Sequence, residues 1–153
     1  MNLNDDVQAL KTIPLFAKVD AAKLKLLAFT SERLSYAEGD ALFEAGDPAD
    51  AAYIVMQGEA DVLVRTPEGP VKVASVGQND IVGEIGILCD VPRTATVRAA
   101  SDLVTLRISK DGFFHLVTQF PEVGIEIMAE LASRLHQTTQ QLTELMRQRP
   151  PAR

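Results

Sequence analysis

The sequence lacks several features that mark particular classes of protein. Its 153 residues include one cysteine, Cys89. One cysteine excludes an internal disulfide framework and fits a reducing compartment, so we expect a cytoplasmic protein. No apolar run approaches the roughly 18 residues that a membrane-spanning helix needs, so we expect no membrane partner. The start of the chain, MNLNDDVQAL, is polar and acidic, which is not typical of a secretory signal.

The sequence also lacks a concentration of positive charge and a set of metal ligands. Its net charge is −6 and its 15 basic residues are scattered, which argues against direct binding to nucleic acid. His115 and His136 lie in separate helical segments without a third ligand at metal-binding spacing. Cys89 has no companion histidine in the sequence, so a structural or incidental role is the better interpretation. We find no catalytic constellation, and we expect a non-enzymatic protein without a metal or cofactor.

The chain divides into helices, then strands, then helices. We expect one domain over residues 1–153, with a helical segment at 1–31, β-structure at 32–108 and C-terminal helices at 109–148. The β region consists of short apolar runs separated by segments rich in turn residues, such as EAGDPAD and TPEGP. Many short strands with such turns indicate a sandwich or a small barrel.

The helical segments carry apolar residues at helical spacing. Asp20 and Ser109 are candidate N-caps, and Pro121 suits the first turn of a final helix. From there to near Arg147 an apolar stripe predicts a helix of about 25 residues. The stripe consists of Val123, Ile127, Leu131, Leu135, Leu142 and Leu145. So small a domain cannot cover the whole stripe, so we expect a homodimer through this helix or, alternatively, an unidentified protein partner.

Two charges, Glu84 and Arg93, stand in the otherwise apolar and glycine-punctuated segment GEIGILCDVPRTATV. Strand parity puts Arg93, Ala95 and Val97 on one face, and the small apolar side chains mark that face as the core side. Arg93 is therefore expected to point inward. Because arginine stays protonated, it needs a counter-charge there.

Two counter-charges are available for Arg93. Glu84 can supply one, as a structural ion pair. The other is an anionic ligand, whose paired oxygens suit the planar guanidinium. Gly83 and Gly86 favour the ligand, because a turn without side chains exposes backbone N–H groups that can close on phosphate oxygens. Glu84 would then be free to accept from neutral hydroxyls, such as those of a ribose.

The segment GEIGILCDVPRTATVRA closely resembles the phosphate-binding cassette of cyclic nucleotide-binding domains. The resemblance extends through IPLFAKVDAAKLKLLA, EGDALFEAGDPADAAYIVMQGEADV and the two closing helices, so it covers nearly the whole chain. It implies a mainly β fold, an antiparallel β-roll (a jelly roll or double-stranded β-helix) over 32–108 with the cassette at 83–97. N-terminal helices and the C-terminal B and C helices would flank the roll. One departure is Val82, where the family often has an aromatic residue.

The resemblance also implies a set of ligand contacts. Arg93 would pair with the cyclic phosphate, and Glu84 would accept from the ribose 2′-hydroxyl. Ala95 would line the pocket, and backbone groups would complete the phosphate and sugar contacts. Those backbone groups belong to Gly83, Ile85, Gly86 and Thr94. Each charged contact would contribute about 1.5–3 kcal/mol.

Thr138 and Thr139 are the candidates for reading the base. In catabolite-activator-like proteins a Thr-Ser pair on this helix contacts adenine, and RLHQTT is similar in position. A polar residue in an apolar stripe can equally set the register of paired helices, so both roles stay open for Thr138. Channel-type domains use an arginine on this helix, which makes Arg134 a secondary candidate. Thr94 occurs in guanine-preferring members and in some cAMP binders, so cAMP is favoured and cGMP stays open.

The resemblance thus implies a cyclic nucleotide sensor whose closing helices rearrange on binding and signal to a partner. No helix-turn-helix follows the long helix, so we expect a stand-alone sensor or the separated sensor portion of a larger system. The alternative is an interaction or structural β-roll domain that binds no nucleotide, and intact Glu84 and Arg93 speak against it. A cupin-like metal enzyme is less favoured, because no His-x-His motif occurs in the strands.

Overall fold

A computed structural model describes residues 3–148. Within them, the helices are α1 Leu3–Lys11, α2 Ala21–Thr30, α3 Glu84–Cys89, α4 Lys110–Gln119 and α5 Pro121–Arg147. A 3₁₀ turn at Pro14–Phe16 lies between α1 and α2. The strands are β1 Glu32–Tyr36, β2 Ala41–Phe43, β3 Ala51–Gln57, β4 Ala60–Thr66, β5 Gly69–Val76, β6 Ile81–Val82, β7 Thr96–Ala99 and β8 Leu103–Ser109.

The strands form two four-stranded sheets with antiparallel pairing. One sheet has the order β1-β8-β3-β6 and the other the order β2-β7-β4-β5. Strands that are distant in sequence are neighbours in space, as where β1 pairs with β8 along its whole length. The described residues therefore confirm the expected antiparallel β-roll with flanking helices.

Two hydrophobic cores lie on opposite sides of the sheet that contains β3. The even-numbered apolar residues of β3 pack with the helices, and the odd-numbered ones pack with the second sheet. The first group is Ala52, Ile54 and Met56, and the second is Ala51, Tyr53 and Val55. Because both faces of β3 are covered, its sequence AAYIVM is a continuous apolar run instead of an alternating one.

The helix ends follow the capping pattern of the sequence. The Asp20 side chain accepts a hydrogen bond from the Ala22 backbone N–H at 3.4 Å, and the Ser109 hydroxyl accepts one from Gly112 at 3.1 Å. Both predicted N-caps are confirmed. Pro121 is the first residue of α5. A backbone N–H at this position would have no intrahelical acceptor, so proline costs the helix no hydrogen bond.

The domain covers only the first part of α5. Val123 and Ile127 are buried, and Leu131 packs against the same core. Further along, Leu135 is 67% exposed and Leu142 is 57% exposed. The stripe predicted from the sequence therefore leaves the core after Leu131. None of the described helices is both long enough and apolar enough to cross a membrane.

Candidate functional site

A cavity of about 500 Å³ opens between α3, α5 and the sheet that contains β4 and β5. Its size falls within the range of about 300–1,000 Å³ that is usual for small-molecule pockets. The sheet side is largely apolar, with Val62, Ala74, Val76 and Val97. Helix α5 contributes a polar side, with Glu130, Ser133, Arg134 and Gln137.

Arg93 lies just before a strand and not within it. Strand β7 begins at Thr96, and residues 90–95 connect it to α3. Backbone hydrogen bonds of 2.8 Å to Asp47 and from Gly46 hold Arg93 against the loop that precedes β3. The Arg93 residue is 4% exposed, which confirms the predicted inward orientation. The inward orientation was predicted by treating Arg93 as part of a strand, but β7 starts three residues later, at Thr96.

The guanidinium of Arg93 is positioned mainly by uncharged groups. Its Nη1 donates to the Gly83 carbonyl at 2.7 Å, and its Nη2 donates to the Ala51 carbonyl at 2.5 Å. The Phe43 ring stacks on it, with 4.0 Å between Cζ and the ring centroid. Carbonyl oxygens and an aromatic face attract a cation through partial charges. They orient Arg93 without neutralising it.

Arg93 has little counter-charge for so buried a group. Among residues 3–148 it forms an ion pair with Asp50 at 3.7 Å, but the Asp50 side chain is 67% exposed and also pairs with Arg107 at 3.3 Å. The Arg93 Nε atom is buried and has no hydrogen-bond partner among the described residues. Burial lowers the pKa of Arg93, and the nearby Asp50 only partly opposes this. A bound anion would supply the missing charge.

Glu84 is the second buried charge of the cavity, and it pairs with Arg134 on α5. Arg134 Nη1 donates to Glu84 Oε1 at 2.9 Å, and Nη2 donates to Glu130 Oε1 at 2.9 Å and to the Ile81 carbonyl at 3.2 Å. Burial raises the pKa of Glu84, which is 2% exposed, and the charge of Arg134 only partly opposes the shift. Within the described chain no ion pair joins Glu84 to Arg93, so the structural pairing considered from the sequence is not formed.

The two glycines of the cassette are required by close contacts. Gly83 has φ of 86°, and a Cβ there would lie 2.8 Å from Arg93 Nη1. A Cβ on Gly86 would lie 2.6 Å from the Cβ of Ala49. Any side chain at either position would therefore displace Arg93 or the loop that positions it.

The structure brings most of the predicted site residues together. The cavity is lined by Gly83, Glu84, Ile85, Gly86, Arg93, Thr94 and Ala95. Thr138 and Thr139 are exposed on α5 and are not among the lining residues. Their assignment to the base stays a prediction. Arg134, the secondary candidate, does line the cavity, but its partner there is Glu84.

Sequence reasoning missed three contributors to the site. Phe43 and the Ala51 carbonyl hold the guanidinium of Arg93, and no local motif connects these distant residues to it. Gln137 lines the cavity from α5. Helical spacing provides a signal for Gln137, because it lies one turn after Ser133 on the same helix face.

The described residues contain no group of three or more His, Cys, Asp or Glu side chains that could hold a metal ion. His115, His136 and Cys89 are each exposed. The chemistry available in the cavity is therefore that of one buried guanidinium, one buried carboxylate, backbone groups, an apolar wall and the polar side chains of α5.

The fold and the cavity define a class of protein: a β-roll domain with a ligand-sized pocket closed on one side by its last helix. A model of the cyclic nucleotide-binding domain family matches residues 33–120, which is more than half of the chain. The chain belongs to this family of regulatory, generally non-enzymatic domains.

Individual relatives agree with the family assignment. The chain is 34% identical over 130 residues to an uncharacterized NTE family protein of Mycobacterium tuberculosis, with 85% of this chain and 22% of that protein covered. It is 34% identical over 108 residues to the cAMP-dependent protein kinase regulatory subunit of Aspergillus fumigatus, with 71% and 26% covered. The chain thus spans about a quarter or less of the length of these two relatives.

The solved structures confirm the fold. The catabolite activator protein of Thermus thermophilus superposes with a TM-score of 0.78 at 26% identity. The match covers 87% of this chain and 63% of that one. The β-roll with flanking helices is therefore shared with a catabolite activator protein.

Proposed function

We propose that the chain senses a 3′,5′-cyclic nucleotide, with cAMP favoured over cGMP, and that it does so as one cytoplasmic sensor domain. Membership of the cyclic nucleotide-binding domain family supports the ligand class. The preference for cAMP is supported by the relative from Aspergillus fumigatus, which is the regulatory subunit of a cAMP-dependent kinase.

The observation that carries the proposal is the incomplete neutralisation of Arg93. Its guanidinium is buried and lines the cavity. Among the described residues, its ion-pair partner is the solvent-exposed carboxylate of Asp50. A charged group in such a place is costly unless a partner of opposite sign arrives. A cyclic phosphate carries one negative charge and fits beside the side-chain-free turn at Gly83.

The rest of the cavity suits the rest of a nucleotide. Glu84 lies next to Gly83 in the chain and offers carboxylate oxygens to the ribose 2′-hydroxyl. Backbone groups of Ile85, Gly86 and Thr94 complete the phosphate and sugar contacts, and Ala95 lines the pocket. The base then occupies the space between the apolar sheet wall and α5, where Gln137 and Ser133 present polar groups. Thr138 and Thr139 contact the base only if α5 turns on binding.

The proposed output is a change in α5 that a second copy of this chain or another protein partner detects. Helix α5 both borders the cavity and carries exposed apolar residues beyond the domain. A ligand that contacts the buried half of the helix therefore influences how the exposed half is presented. Such signalling requires that the ligand binds the two arrangements of α5, before and after the change, with different affinity.

The test is calorimetric titration of the purified chain with cAMP, cGMP and a cyclic dinucleotide. We expect binding of cAMP, and we expect Arg93→Ala to weaken it by about 100-fold or more, because the buried phosphate loses its counter-charge. Arg98→Ala is the matched control. Arg98 is an exposed arginine on β7, so its loss removes the same charge from outside the cavity.

Two results would overturn the proposal. One is the absence of binding to all three nucleotides by a wild-type chain that is folded by thermal melting. The other is unchanged cAMP affinity in a folded Arg93→Ala variant. If that variant does not fold, Arg93→Lys retains the charge without the planar fork, and we expect a smaller loss of affinity.

A further inference from the structure

A second depression, the outer groove, lies on the face of the roll opposite to the cavity and has a volume of about 350 Å³. Val62 of β4 and Val97 of β7 line the cavity. Their chain neighbours Leu63 and Thr96 line the groove instead. Successive residues of a strand point to opposite faces of a sheet, so the groove opens on the outside of the sheet that contains β4 and β7. Its other lining residues include Glu44, Arg65, Pro70 and Arg98.

The outer groove brings together two arginines that form no ion pair within the described residues. Among residues 3–148, the arginines that do form ion pairs are Arg33, Arg93, Arg107, Arg134 and Arg147. The arginines that remain are Arg65 and Arg98, and both line the groove. Asp61 is the cross-strand partner of Arg98 in the backbone register, but its carboxylate pairs with Lys72 at 3.2 Å. The groove is therefore where the described chain has unmatched guanidinium groups.

We propose that the outer groove binds the phosphate group of a phosphomonoester, which is either a small molecule or a phosphorylated side chain of a partner protein. Two guanidinium groups in one depression repel each other unless an anion lies between them. The carboxylate of Glu44 lines the groove but pairs with neither arginine. A phosphate group carries more charge and more acceptor oxygens than a carboxylate, so it can accept from both guanidinium forks. Leu63 and Pro70 offer apolar surface to the rest of the ligand.

The test is titration of the isotope-labelled chain with inorganic phosphate, with the tripeptide alanyl-phosphoseryl-alanine and with the same tripeptide unphosphorylated. We expect the two phosphate-bearing probes, and not the third, to shift the amide resonances of Thr66 and Thr96 at the groove. Arg65→Ala and Arg98→Ala should each weaken this binding about three- to tenfold, because each removes a charge-assisted hydrogen bond. Glu44→Gln should tighten it about twofold or more, because it removes the opposing charge.

Two further variants show where the phosphate binds. Arg147→Ala is the matched control, since it removes an arginine that pairs with Glu144 on α5, and it should bind both probes as wild type does. Arg93→Ala should keep the shifts at the groove, because Arg93 lies in the cavity on the other face of the sheet.

The two phosphate-bearing probes distinguish the sources of the ligand. Tighter binding of the phosphorylated tripeptide than of inorganic phosphate would indicate a phosphorylated side chain, and equal binding would indicate a small molecule. Three results would overturn the inference: no shifts with either phosphate-bearing probe, unchanged affinity in both Arg65→Ala and Arg98→Ala, or loss of the shifts in a folded Arg93→Ala variant.

Discussion

At the scale of single residues, the cavity holds two buried charges that are balanced in different ways. Arg93 is surrounded by carbonyls and an aromatic ring, and its Nε lacks a hydrogen-bond partner among the described residues. Glu84 pairs with Arg134 on α5, whose side chain is 38% exposed. Arg93 therefore lacks a buried counter-charge, whereas Glu84 has an arginine partner.

The raised pKa of Glu84 predicts a pH-dependent stability. Below 4.5, its ordinary pKa, both the folded and the unfolded chain hold the proton. Above that pH the unfolded chain releases the proton first, so stability is lost as pH rises through the folded pKa. We expect the free energy of unfolding of wild type to fall relative to that of Glu84→Gln between pH 4.5 and neutrality, as measured by urea denaturation.

The control for this measurement is Glu68→Gln, which removes an exposed carboxylate from the turn between β4 and β5. Its stability difference from wild type should stay level over the same pH range. A level difference for Glu84→Gln as well would show that the folded chain does not raise the pKa of Glu84.

At the scale of elements, α5 presents different residues to the cavity and to its exposed surface. Gln137 lines the cavity, whereas its neighbour Thr138 does not. Successive residues of an α-helix are separated by about 100° around the axis, so the two side chains cannot face the base together. If Gln137 affects base recognition, α5 keeps its present rotation in the bound state. If Thr138 does so instead, α5 has turned.

We expect Gln137→Ala to weaken cAMP binding about three- to tenfold, because a side-chain amide that bonds the base contributes about one hydrogen bond. If α5 keeps the rotation that places Gln137 in the cavity, Thr138→Ala should leave the affinities for cAMP and cGMP within about twofold of wild type. Calorimetry on this matched pair of neighbours provides the test. The reverse result, with an altered cAMP-to-cGMP ratio in Thr138→Ala, would mean that α5 turns on binding and that Thr138 reads the base.

At the scale of the whole molecule, the part of α5 from Met128 onward carries the pattern of a paired helix. The residues Met128, Leu131, Leu135, Thr138, Leu142 and Leu145 follow one another at alternating spacings of three and four; we call them the α5 seam. Met128 and Leu145 are each 62% exposed. Such spacing is typical of the contact line of a two-helix coiled coil, where one polar residue sets the register.

We therefore expect the chain to form a homodimer through the α5 seam, and Leu142→Asp to convert it to a monomer, because a buried unpaired carboxylate is costly at a helix interface. Sedimentation equilibrium measures the mass. Leu26→Asp is the matched control, since Leu26 on α2 is exposed to the same 57% as Leu142 but lies outside the seam. A monomeric wild type, or a Leu142→Asp variant that stays dimeric, would contradict the prediction.

Local patterns were sufficient to predict the elements and part of the site. The N-caps at Asp20 and Ser109 and the first turn at Pro121 follow from short-range hydrogen bonding, which depends on neighbouring residues. The inward orientation of Arg93 was predictable because the alternation of inward and outward side chains along β7 continues into the segment before this strand. The partner of Glu84 was not predictable in this way, since Arg134 is fifty residues away in the chain.

The sequence by itself determined the order of helices and strands, because this depends on local propensity and periodicity. The resemblance of the contiguous cassette motif implied the β-roll and the residues of the cassette. Only the tertiary structure decided how the two buried charges are balanced. Phe43, Ala51 and Arg134 meet the cassette through the packing of distant elements, and no local pattern encodes those distances. The fold therefore determines that Arg93 lacks a buried counter-charge while Glu84 is paired with Arg134 on α5.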